Sequence, residues 1–286
     1  MEAGTVDDLL NDARKAGYPA TRRLITDWAS LGLLDSPTRH GAGRGKGTTK
    51  GVLSAEQRQL FLALLQHRAK GSRIAALSNI PVALWLYWGD SYVPLRQTKR
   101  ALDTWIEAAD RGVQGRSKAA ASELVELLAT PDTDDTQKNR LERLLHDANQ
   151  AGYIKDPVAL RKATELVFDP NHTGRTLGPP GASISPDILV RGFVLRSRAL
   201  IALRADRLRA GPVSDQIVTD QILERARADL RQQLLAYTRD RPQLITDADA
   251  SVQHLFSAPL AQQFIPNACR DLITAIGHQL RKEHRP

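Results

Sequence analysis

Arg22 and Arg23 stand together near the start of the segment TRRLITDWASLGLL, residues 21–34, with Thr26 and Ser30 following on the same side at helical spacing. These side chains suit nucleic-acid recognition. A guanidinium donates two bonds to guanine O6 and N7, or clamps a phosphate, and a helix N-terminus adds its own attraction for phosphate. A second set follows in TRHGAGRGKGTTKG, residues 38–51, where Arg39, Arg44, Lys46 and Lys50 are interleaved with five glycines. Glycine lets a backbone approach a phosphate chain without steric clash, so cations on such a loop mostly contact phosphate. The expected DNA-contacting residues are Thr21, Arg22, Arg23, Thr26, Arg39, Arg44, Lys46 and Lys50.

No other constellation carries chemistry of comparable definition. The seven histidines are scattered, without a pair at metal-ligand spacing, and Cys269 has no cysteine partner. There is no P-loop, dinucleotide fingerprint or nucleophile elbow. Asp132, Asp134 and Asp135 fall in a turn after Pro131, where they read as a solvated helix start. The expectation is a non-enzyme with no catalytic, cofactor-binding or metal-binding residues. Trp85, Tyr87, Trp88, Tyr92 and Trp105 form an aromatic cluster able to line a pocket for a flat or cationic ligand. A domain core or subunit interface is the preferred reading, so a small-molecule effector has no support beyond these rings. Residues 191–209 hold six arginines against Asp206, which reads as a solvated helix face before it reads as a second DNA surface.

Several amphipathic helices must position the first two sets. Residues 6–16 place Val6, Leu9, Leu10 and Ala13 on one face, with Thr5 as cap, and Gly17-Tyr18-Pro19 ends the run. The next helix begins near Thr21 and stops before Gly32, with Leu24, Ile25, Trp28 and Leu31 as its apolar stripe. Polar residues on its opposite side are thereby left for a partner. A third helix starts at Ser54, where Ser54-Ala55-Glu56-Gln57 has the form of a capping box, and buries Leu60, Phe61, Leu64 and Leu65. Two short helices joined by a tight turn, followed by a basic loop and a third helix, make a winged helix-turn-helix.

The segment from Thr21 to Leu34 resembles the recognition helix of the MerR family. Arg23 matches the family's arginine, Trp28 its second aromatic, and Gly32-Leu33-Leu34 its terminal turn. Pro37, Arg39 and Arg44 resemble its wing, and Leu53-Ser54-Ala55-Glu56 resembles the start of its third helix. The resemblance spans residues 5–68 and implies a recognition helix in the major groove with a wing on the flanking backbone. Asp27 stands where the family has its first aromatic. The long dimerisation helix of that family is expected to be interrupted here at Gly71, Pro81 and Gly89.

The remaining chain reads as further helices, over residues 94–111, 117–129, 136–150, 186–210, 213–237 and 259–281. The fold class is therefore mainly α, with any β structure confined to the wing. Expected divisions are a DNA-binding domain over 1–73, a helical domain over 74–168, a linker over 169–185 and a C-terminal helical domain over 186–286. The chain of 286 residues carries a net charge of +8, which draws it to polyanions. From residue 36 to 73, eight cations face the single carboxylate of Glu56, which concentrates the excess there. The polar, acidic first residues and the absence of a long apolar run predict a cytoplasmic, nucleoid-associated protein without membrane contact. The function expected is sequence-selective binding of duplex DNA as a transcriptional regulator, with a homodimer assembled through faces such as Leu102, Trp105 and Ile106. Plasmid partition, phage packaging or excision is the alternative use of the same domain, and a helical adaptor without DNA function is the rival from another class.

Overall fold

The structure is a computed structural model that describes residues 2–38, 51–110, 116–177, 185–208, 216–238 and 264–283. The described residues contain eleven α-helices and two strands of two residues each, so the chain is mainly helical. It divides into two compact units. Met1–Arg111 with Asp229–Asp271 form the first, and Gly112–Ala228 with Leu272–Pro286 form the second. Among the described residues no helix is long and apolar enough to cross a membrane.

The first unit opens with β1 (Gly4–Thr5), α1 (Val6–Lys15) and α2 (Arg22–Ser30). The Asp8 carboxylate accepts from the backbone N–H and the hydroxyl of Thr5, which fixes the start of α1. Leu9 and Ala13 are fully buried. At the end of α1, Gly17 adopts φ +78° and the N–H of Tyr18 reaches back to the Ala13 carbonyl at 2.9 Å. This wrap stops the helix and satisfies a carbonyl that would otherwise lose its partner. The same device ends α2. Gly32 has φ +71°, and Leu33 N–H donates to the Trp28 carbonyl at 2.9 Å.

Ile25 and Trp28 turn the inner side of α2 into the core, and Trp28 meets Phe61 edge to face at 5.7 Å. Phe61 lies on α3 (Ala55–Ala69), which follows β2 (Val52–Leu53). Strands β1 and β2 pair antiparallel, with Gly4 opposite Leu53 and Thr5 opposite Val52. Ser54 caps α3 by accepting from Gln57 N–H at 3.3 Å. The return half of the expected capping box does not form, because the Gln57 amide is buried and committed elsewhere. Its Oε1 accepts from Asp35 N–H at 2.8 Å, and its Nε2 donates to the Gln97 side chain at 2.9 Å.

Helix α4 (Ile74–Trp88) corrects one sequence expectation, since it continues through Pro81. Proline inside a helix removes one hydrogen bond and costs about 3 kcal/mol. Ten consecutive residues of α4, Leu77 to Leu86, are buried, and each large apolar side chain among them contributes about 1.5–3 kcal/mol. Burial outweighs the local penalty, so the helical run is interrupted at Gly71, between α3 and α4, and at Gly89, in the short 3-10 turn Gly89–Ser91 that precedes α5 (Leu95–Asp110), but not at Pro81. Helices α4 and α5 pack on the preceding elements across residue 73, so they belong to the same compact unit as α1 to α3.

The second unit contains α6 (Arg116–Leu128), α7 (Asp135–Ala151), α8 (Pro157–Phe168) and α9 (Pro186–Leu208). Their shared core includes Val125, Leu141, Leu145, Leu160, Val167 and Val190. The stretch expected as a linker begins instead as a built turn. The Asp169 carboxylate accepts from the N–H groups of Thr173 and Gly174 at 2.7 Å each, and these bonds hold it below its ordinary carboxylate range. Arg175 then lies over the Phe168 ring and donates to the carbonyls of Leu128 and Phe168 at 2.7 and 3.0 Å. One guanidinium thereby closes the C-terminal ends of α6 and α8.

The two remaining helices are α10 (Asp220–Thr238) and α11 (Ala268–Glu283), the latter entered through a 3-10 turn at Ile265–Asn267. Helix α9 is less of a solvated face than its arginines suggest. It buries Phe193, Val194, Leu195 and Ala199, while Asp206 accepts from the N–H groups of Ile217 and Val218 at 2.7 Å each.

Candidate nucleic-acid interface

Helix α2 presents Arg22, Arg23, Thr26, Asp27 and Ser30 to solvent, while Ile25 and Trp28 are buried on its other side. Thr21 serves as its N-cap, accepting from Leu24 N–H at 3.2 Å. Thr26 turns its hydroxyl back to the Arg22 carbonyl at 3.1 Å, and Ser30 does the same to Asp27 at 2.7 Å. The sequence therefore placed Thr21, Arg22, Arg23 and Thr26 on one exposed surface, which the structure brings together. The hydroxyls have a local acceptor in addition to any outside partner.

Both arginines meet carboxylates. Arg22 pairs with Asp7 of α1, and Arg23 Nε lies 3.8 Å from Asp27, one helical turn on. The four side chains remain at least half exposed, Arg23 at 90%. The Arg23–Asp27 pair follows from i,i+4 spacing on one helix, but Asp7 was not legible as a partner in the sequence. Asp7 lies fifteen positions from Arg22 and meets it only through the packing of α1 beside α2.

The wing candidate is described at its root. Thr38 and Val52 exchange two backbone hydrogen bonds at 2.9 Å each, so residues 38 and 52 are joined as a bridge beside β1. Arg39, Arg44, Lys46 and Lys50 lie outside the described residues. The base is fixed from a third direction by Arg58 of α3, which grips Asp12 through two nitrogens at 2.9 and 2.7 Å and donates to the Glu2 carbonyl.

Sequence reading missed the support behind α2. Helix α5 holds the chain leaving α2 at four successive points. Thr104 donates to the Leu31 carbonyl at 2.9 Å, and Gln97 donates to the Leu33 carbonyl at 3.1 Å. Arg96 clamps both oxygens of Asp35 at 3.1 and 2.6 Å, and Arg100 reaches Ser36 at 3.5 Å. The Asp35 bond and charge hold the Arg96 guanidinium above its ordinary value. Gln57 and Gln97 are buried, at 4% and 0% exposure, and satisfy one another, which makes this polar network a rigid joint. A crevice of about 160 Å³ beside it is lined by Asp35, Ser54, Gln57, Asp90 and Tyr92.

The aromatic cluster divides between roles. Trp85 is fully buried and donates through its ring N–H to Asp90 at 3.0 Å. Trp88 stacks on Tyr92 at 4.8 Å, and Tyr87 packs edge to face on Phe264. Burial, with Asp271 nearby, pushes the Tyr87 hydroxyl well above its ordinary value. Leu102 and Ile106, expected at a subunit interface, are at 2% and 0% exposure within the chain itself and cannot supply one. They are held inside because α5 turns this face onto α4.

Among the described residues no group of three or more His, Cys, Asp or Glu side chains is placed to hold a metal ion. Burial, followed by the charge of Asp271, pushes the Cys269 thiol well up, which keeps it protonated. Comparison of the chain with protein-family models, with curated proteins and with solved structures finds no match.

Proposed function

We propose that residues 1–73, within the first unit, form a winged helix-turn-helix and that the chain binds duplex DNA, acting as a transcriptional regulator. The observation carrying the reading is the division of α2 into a locked apolar side and a continuous polar side headed by two exposed arginines. The capped start of α2, the basic loop rooted at Thr38 and Val52, and the brace from α5 all suit a helix presented rigidly to a groove. Phosphate contacts would set position, and α2 would read base edges. Two-fold pairing of the chain belongs to the same proposal, because one small domain covers only a short site.

Arg22→Ala and Arg23→Ala test the assignment. Each is expected to weaken binding to a selected site more than binding to a scrambled duplex. Removing a bidentate base contact should cost about 1–3 kcal/mol of discrimination. Selection of sites from a random duplex pool, followed by fluorescence anisotropy on selected and scrambled duplexes, reads the difference. Equal losses on both would make these arginines phosphate contacts only, and unchanged binding on both would remove α2 from the interface.

A further inference from the structure

Asp7 and Asp27 stand out because the proposed interface has no use for them. A carboxylate beside a phosphate backbone is repelled, yet each of the two arginines of α2 faces one. The two cations and two anions cancel, so this surface carries no net charge from them. We infer that Asp7 and Asp27 are specificity-determining residues, whose charges offset those of Arg22 and Arg23 and so weaken capture by arbitrary phosphates. The inference rests on the proposed DNA-binding role of α2.

The geometry gives the two pairs different tasks. Asp27 meets Arg23 through Nε, which leaves the terminal nitrogens of a 90%-exposed side chain to offer the paired donors that guanine O6 and N7 accept. At 3.8 Å, beyond hydrogen-bond distance, Asp27 acts on Arg23 through its charge. Asp7 engages a terminal nitrogen of Arg22, so a phosphate or a base edge must displace this bond to take the same donor. Exposed ion pairs contribute little to stability, so their replacement leaves the fold intact while changing the field at the surface. Attraction for DNA then comes mainly from the cations of residues 39–50, a segment that holds no carboxylate. Affinity and selectivity are divided between loop and helix.

The isosteric variants Asp7→Asn and Asp27→Asn test this in the full chain, with Glu165→Gln as the charge control. Glu165 belongs to the second unit and is 63% exposed, so its replacement adds the same net charge outside the unit that carries α2. The probe is a fluorescein-labelled duplex of scrambled sequence, compared with a duplex selected from a random pool. Removing one unit charge at contact distance in water should tighten scrambled binding about fivefold. Asp7→Asn and Asp27→Asn are expected to show this gain and to lose selectivity, while Glu165→Gln shows neither. Unchanged scrambled binding in both Asn variants overturns the inference, as does an equal gain in Glu165→Gln. Wild-type protein that binds no duplex at any salt concentration overturns the DNA-binding reading itself, and this inference with it. Circular dichroism identical to wild type confirms that the variants are folded.

Discussion

Gly32→Ala is expected to destabilise the first unit by about 2–5 kcal/mol, the sum of left-handed backbone strain and a steric clash. Gly32 has φ +71°, and a Cβ there would lie 2.4 Å from the backbone nitrogen of Ala101 and 2.6 Å from Arg100 Cβ. The turn after α2 is thus pressed against α5, and the absence of a side chain permits the approach that lets Thr104 and Gln97 reach the Leu31 and Leu33 carbonyls. Gly17 supplies the control. It has φ +78° in the same kind of turn, but nothing lies within 4 Å of its added Cβ. Gly17→Ala should therefore cost only the strain, about 1–2 kcal/mol. All four tryptophans, Trp28, Trp85, Trp88 and Trp105, belong to the first unit, so denaturant unfolding followed by tryptophan fluorescence reports on this region. Equal losses for the two variants would show that the turn does not press on α5.

Gly277→Ala has the second large effect, and its sign depends on two opposed terms. Inside a helix, replacing glycine by alanine is favourable by about 1 kcal/mol from backbone entropy alone. At Gly277 of α11, however, the added Cβ would fall 2.0 Å from the carbonyl oxygen of Leu195 in α9. A backbone atom cannot rotate away as a side chain does, so α9 and α11 must separate. Overpacking of that kind costs about 1–3 kcal/mol and occasionally more. With a backbone contact at 2.0 Å the clash should win, for a net loss of up to about 2 kcal/mol. Gly192 of α9 has nothing within 4 Å of its added Cβ, so Gly192→Ala should gain up to about 1 kcal/mol. Thermal unfolding by circular dichroism and hydrogen exchange in α9 and α11 distinguish the pair. A stabilised Gly277→Ala protein would contradict the close approach.

These glycines mark the limit of what the sequence reveals. Local signals were legible because they act over a few residues. Thr5, Thr21 and Ser54 sit immediately before helices, Gly17 and Gly32 immediately after them, and Ile25 and Trp28 fall on one side of α2. Gln57 shows where that logic fails. Its position three residues after Ser54 suits a capping box, but the side chain joins Asp35 and Gln97, which are distant in sequence. Pro81 fails for a related reason, since the burial that outweighs its local cost is a property of the packed unit. On α2, Arg22, Arg23 and Thr26 were legible from helical spacing. Their relation to Asp7, and the brace from Arg96, Gln97 and Thr104, required the packing of α1 and α5.

The claim that this chain grips duplex DNA through α2 and the basic loop is tested most directly by the salt dependence of binding. The intact chain and a variant with Arg39, Arg44, Lys46 and Lys50 all replaced by glutamine would be titrated with the same labelled duplex from low to moderate salt. Wild-type affinity is expected to fall linearly on a logarithmic scale as salt rises. The variant should bind more weakly across all sequences, with a slope flatter by about 0.9 for each phosphate that the loop no longer neutralises, and with sequence preference retained. A wild-type protein without salt-sensitive binding, or a variant with an unchanged slope, would contradict the account.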